Sequence, residues 1–109
     1  MKDINGQEIE FNVFVNFCKK MTGGYCALLN IDMTDDCIKF VTVGNNEAGQ
    51  TVETDWTFQS YSNGLGCSVT ARNRENGTVS SVGEIFENYL ANMEKSSNSN
   101  DFSMWLVIK

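Results

Sequence analysis

The chain has 109 residues, a formal net charge of −6 and no histidine. That length has room for one domain around one core, and the acidic balance opposes direct binding to nucleic acid or to an anionic leaflet, since both attract Lys and Arg. The missing imidazole excludes Ser-His-Asp and Cys-His nucleophile activation, histidine acid–base catalysis and every His-containing metal site.

Residues 1–7 place no apolar run behind a basic start, and no later stretch approaches the roughly 18 apolar residues of a membrane-crossing helix. A cytoplasmic chain with no membrane partner is expected. Over 13–22, Val13, Phe14, Phe17, Cys18 and Met21 recur at helical spacing while Asn16, Lys19 and Lys20 face away. Asn12 is placed to cap this helix and Gly23-Gly24 to end it. A strand is the alternative, because Ile9, Phe11, Val13, Val15 and Phe17 also alternate with polar residues and only Phe14 breaks the pattern.

The period then falls to two. Segments 25–33, 37–43, 51–58 and 65–72 are short, rich in β-branched and aromatic residues, and separated by polar turns short enough for hairpins. Residues 81–84, Ser-Val-Gly-Glu, form a capping-box pattern, and Val82, Ile85, Phe86, Tyr89, Leu90 and Met93 make one apolar stripe, which predicts a helix over 82–95. The polar run 96–101 reads as a flexible loop. Segment 102–108 is apolar on both alternating faces, as a strand covered by helix would be. The order predicts an α+β fold: one antiparallel sheet of about five strands, a meander plus the C-terminal strand, with two helices packed on one face. No second domain or internal repeat is visible, so 1–109 is expected to be a single domain.

Cys18, Cys26, Cys37 and Cys67 lack paired Cys-x-x-Cys spacing and occupy apolar positions of predicted elements, so buried free thiols are expected rather than disulfides or a four-cysteine zinc site. Gly23-Gly24 and Gly64-x-Gly66 fit neither the dinucleotide nor the P-loop pattern and read as a helix stop and a turn.

Carboxylates are the one plentiful functional group. Asp32, Asp35 and Asp36 cluster at the first hairpin, Glu47 lies in the second, and Glu53 and Asp55 share a face of the third predicted strand. Their spacing does not match a calcium loop, and so small a domain has little room for a sugar cleft flanked by two carboxylates. No catalytic residue, metal or cofactor is expected. The pattern predicts an acidic docking surface for a basic protein, with Trp56, Tyr61 or Tyr25 as aromatic anchors where exposed; the clean alternation around Trp56 favours the core for that residue.

The function expected is that of a small binding protein which neutralises a macromolecular partner, foremost an immunity protein acting on a basic, nuclease-type toxin. The alternatives are a phage-encoded antagonist of a host defence nuclease that imitates DNA phosphates, and a small-ligand-binding or oligomerisation module. Lys19, Lys20, Lys39, Arg72 and Arg74 interrupt the acidic series, which weighs against phosphate mimicry. Oligomeric state is left open.

Overall fold

The computed structural model describes residues 1–22, 26–45, 48–95 and 106–107. Where helix and strand periodicities compete, the helix prevails as α1 (Phe11–Thr22). A strand could hide only every second residue on a face, whereas the helix buries Val13, Phe14, Val15, Phe17 and Cys18 together. Lys19 and Lys20 in its last turn complement the negative end of the dipole. The expected cap is not formed. α1 begins ahead of Asn12, with the Val13 N–H donating to the Glu10 carbonyl at 3.0 Å, and Asn12 lies in the first turn with Oδ1 buried and unpartnered.

A meander follows: β1 (Cys26–Met33), β2 (Cys37–Asn45), β3 (Thr51–Ser60), β4 (Cys67–Asn73) and β5 (Val79–Ser81), each antiparallel to the next. β5 was not foreseen, since three exposed residues carry no readable period. It also alters the start of α2 (Gly83–Lys95). Ser81 is held in the ladder opposite Thr70, so the expected Ser81 capping box gives way to a helix whose first turn hangs on the Val82 carbonyl, which accepts from Phe86 N–H at 3.0 Å. The last strand, β6 (Leu106–Val107), pairs parallel to β1 and completes the order β5-β4-β3-β2-β1-β6. The chain thus passes from one sheet edge to the other between β5 and β6. The loop expected over 96–101 lies outside the described residues.

Both helices lie on the same sheet face. Phe58 of β3 is the hub: its ring centroid is 4.8 Å from Phe14 and 6.5 Å from Phe17 of α1, and 5.4 Å from Phe86 of α2. Phe14 and Phe86 stack at 5.4 Å, so the helices also touch each other. Edge-on and stacked aromatic pairs add about 0.5–1.5 kcal/mol each beyond their burial. Ile85, placed by sequence in the α2 stripe, is instead exposed.

β1 contains a bulge. Leu29 faces Val41 and Asp32 faces Lys39, so one extra residue of β1 is absorbed between them, and Asn30 takes the left-handed conformation at φ 54°. Asn tolerates that region better than most residues. The extra residue lets Leu28 and Ile31, three apart, both meet the core.

Candidate functional site

The acidic residues singled out by sequence that the structure describes fall into two groups, one at and beside the β1–β2 turn and one further along β3. The first sits on the β1–β2 turn. Thr34 closes that turn, its N–H donating to the Cys37 carbonyl at 2.8 Å and its Oγ1 accepting the Cys37 N–H at 3.0 Å. Asp35 and Asp36 are left exposed at the tip. The Asp36 carbonyl accepts from the Ser60 N–H at 2.8 Å and from Gln59 Nε2 at 3.1 Å, which ties the tip to the end of β3. Asp32 is exposed and stands opposite Lys39 in register. No ion pair among the described residues involves Asp32, Asp35 or Asp36.

The second group is Glu53 and Asp55. Register pairs Gln59 with Cys37 but Glu53 with Val43, which at ~3.3 Å per residue puts Glu53 about 20 Å from the acidic turn. These carboxylates are also committed internally: Arg72 Nη1 reaches Asp55 Oδ2 at 3.1 Å, Arg74 Nε reaches Asp55 Oδ1 at 3.4 Å, and Arg74 Nη1 reaches Glu53 Oε1 at 3.7 Å. Half-exposed pairs of this kind contribute about 0.2–1 kcal/mol each, but they cancel the charge a basic partner would read. Asp35 and Asp36 on the turn therefore do not share one surface with the arginine-paired Glu53. Glu47 lies outside the described residues.

Of the three aromatic anchors, Trp56 belongs to the core: its Nε1–H donates to the buried Thr42 Oγ1 at 2.9 Å. Tyr61 is 49% exposed. Tyr25 lies outside the described residues. Sequence reading missed two companions of Tyr61, namely Ile4 at 59% and Leu65 at 40% exposure. Gly66 joins them: its φ is +79°, and a methyl group there would lie 3.1 Å from Ile4 Cγ2 and 3.4 Å from Tyr61 Cδ2. The spacing Gly64-x-Gly66 was the available signal, marking a turn whose backbone must come close to something.

Cys18 and Cys67 are buried and in no disulfide, as expected; Cys37, expected to be buried, is half-buried, and the side chain of Cys26 lies outside the described residues. Burial, and next the carboxylate of Glu87, push the Cys67 thiol up to about 11, against a lowering by the N-terminal ammonium. A thiol kept protonated in this way is not an activated nucleophile. Tyr89 is raised by burial and secondarily by Cys18.

A cleft of about 350 Å³ opens between the end of α1 and β3–β5, lined mostly by apolar groups including Met21, Val52, Trp56, Ala71 and Val82, with no carboxylate in its wall. A shallow hollow of about 280 Å³ is bordered by Asp3, Glu8 and Glu10. Two of those carboxylates hold the N-terminal turn: Asp3 Oδ1 accepts the amides of Asn5 and Gln7 at 2.9 Å each, and Glu8 Oε1 accepts the N-terminal ammonium at 2.9 Å. Among the described residues no three Cys, Asp or Glu side chains converge as a ligand set, and no helix is long and apolar enough to cross a membrane. Comparison of the chain with protein-family models, with curated proteins and with solved structures finds no match.

Proposed function

We propose that this chain is an acidic, non-catalytic cytoplasmic binding protein that neutralises a basic macromolecular partner, in the manner of an immunity protein covering a nuclease-type toxin. The observation that carries this reading is the β1–β2 turn, where Asp35 and Asp36 stand exposed on a rigid, hydrogen-bonded tip with no ion pair among the described residues. In a chain of net charge −6 that holds Glu53 and Asp55 against its own arginines, such an uncompensated pair is the place where complementary charge accelerates association and selects the partner. The distance of about 20 Å between the turn and Glu53, and the pairing of Glu53 and Asp55 with arginines, support this reading over phosphate mimicry, which needs a continuous series along one face.

The test is affinity capture from native lysate with the tagged chain at low and high salt, bound proteins being identified by mass spectrometry. A basic protein retained at low salt and released by salt is the expected result. Retention of the bait alone, or of partners without basic character, removes the reading.

A further inference from the structure

Resting on that reading, we infer that the partner docks on one corner of the molecule, where the exposed side chains of Ile4, Tyr61 and Leu65 form an apolar anchor site rimmed by Asp35 and Asp36, and that it presents there an apolar side chain flanked by Lys or Arg. Three observations converge. First, these three large apolar side chains are each at least 40% exposed, and they belong to two loops held against each other. Gly66 lies between Ile4 and Tyr61, and Leu65 Cδ2 approaches within 3.7 Å of where a methyl group on Gly6 would be.

Second, the backbone of the corner is tied by its own hydrogen bonds before any partner arrives. The Gly66 N–H donates to the Lys2 carbonyl at 3.0 Å, the Tyr61 N–H to the Gly66 carbonyl at 3.2 Å and the Gly64 N–H to the Tyr61 carbonyl at 2.9 Å. Asn63 Oδ1 accepts the Leu65 N–H at 2.9 Å. A backbone held in this way loses less conformational entropy on binding than a free loop would. The exposed Tyr61 is of a residue type enriched in interface hot spots, and Ile4 and Leu65 enlarge the apolar area beside it.

Third, the charge around it is predominantly acidic. The Ser60 N–H and Gln59 Nε2 both donate to the Asp36 carbonyl, which brings the acidic turn beside Tyr61. On the segments that build the corner, 1–9, 34–36 and 61–66, Lys2 is the one cationic side chain, set against Asp3, Asp35 and Asp36, while Glu8 is paired with the N-terminal ammonium. A second copy of this chain is a poor occupant, because a symmetric contact would set Asp35 and Asp36 against their own counterparts.

The surface is tested by amide chemical-shift mapping with synthetic probes: a capped lysine-rich peptide carrying one central Phe, the same peptide with that Phe replaced by Ser, and a glutamate-rich peptide carrying the Phe. The expected result is that the lysine–Phe peptide shifts the amides of Ile4, Tyr61, Leu65, Asp35 and Asp36, binding at least tenfold tighter than either control. Tyr61→Ser and Leu65→Ser should each weaken it about tenfold. Asp35→Asn with Asp36→Asn should weaken it and flatten its salt dependence, and Asp55→Asn should leave it unchanged. Unaltered melting of each variant confirms the fold. Shifts centred on Glu53 and Asp55 or on the cleft beside Trp56, equal binding of the Ser control, absence of binding, or self-association through this corner overturns the inference. Lysate capture then separates it from the broader reading: a basic protein retained equally by wild type and Tyr61→Ser leaves the acidic binding protein standing and removes the corner, whereas a wild type that retains none removes the broader reading itself.

Discussion

Asp55 of β3 lies directly across the ladder from Arg72 of β4 and accepts its guanidinium at 3.1 Å, while its other oxygen faces Arg74 at 3.4 Å. Register alone places the pair, and both members are substantially exposed. Asp55→Asn should therefore shift the urea-unfolding free energy by less than about 1 kcal/mol, and half-molar salt should shrink even that. A loss several times larger would mean that the two arginines need Asp55 to hold β3 and β4 together.

The bond between Trp56 Nε1 and Thr42 Oγ1 is a different case, because both groups are buried. Thr42→Val removes the acceptor and strands the indole N–H, costing about 1–3 kcal/mol. Trp56→Phe alone should also destabilise, through the space left beside Phe17 and Phe58. Combining the two should cost less than their sum by about 1 kcal/mol, as read from denaturant titrations of the four proteins; strict additivity would show that the hydrogen bond contributes nothing.

Gly64 and Gly66 share the same left-handed conformation, φ +78° and +79°, but only Gly66 is crowded. Gly64→Ala should cost about 1 kcal/mol for the backbone alone. Gly66→Ala adds the contact with Ile4 Cγ2 and should lower the melting temperature clearly more. Equal effects would mean that Ile4 swings aside freely, and the corner it helps form would then be soft.

The raised Cys67 thiol gives a definite sign. The folded state keeps its proton until about pH 11, against 9.0 for the ordinary thiol, so between those values the native chain binds more protons than the unfolded one. The contribution is complete below pH 9.0 and is lost as pH rises through 11. Stability measured from pH 8 to 11 should fall more steeply for wild type than for Cys67→Ala, and alkylation at pH 8 should modify the half-buried Cys37 well before Cys67.

The alternation of Trp56 and Phe58 on β3 and the stripe from Phe86 to Leu90 on α2 were legible because each follows from burying one face of a regular element. α1 was ambiguous in sequence because nearly every residue from Val13 to Cys18 is buried, which satisfies both periods. The Asn12 cap failed because α1 begins ahead of it, at Phe11, and the Ser81 cap because the β5 ladder holds that residue. The acidic residues were legible as a population and not as a place. Which carboxylates meet an arginine is fixed by cross-strand register, and one sequence does not print register. The apolar corner was harder still, since Ile4 and Leu65 meet only after two loops distant in the chain are tied at Gly66 and Lys2.

The parallel pairing of β6 with β1 sets an order of events during synthesis. Each contact from β1 to β5 joins neighbours in the chain and can close as soon as the next hairpin is made. The pairing of Ala27 with Leu106 has to wait until synthesis has passed residue 106, long after the meander is complete. Until then β1 is an open edge with unpaired amides and carbonyls, so the strand built first is the last to be covered. A slow translation step between α2 and β6 would prolong the interval in which that edge can recruit another nascent chain.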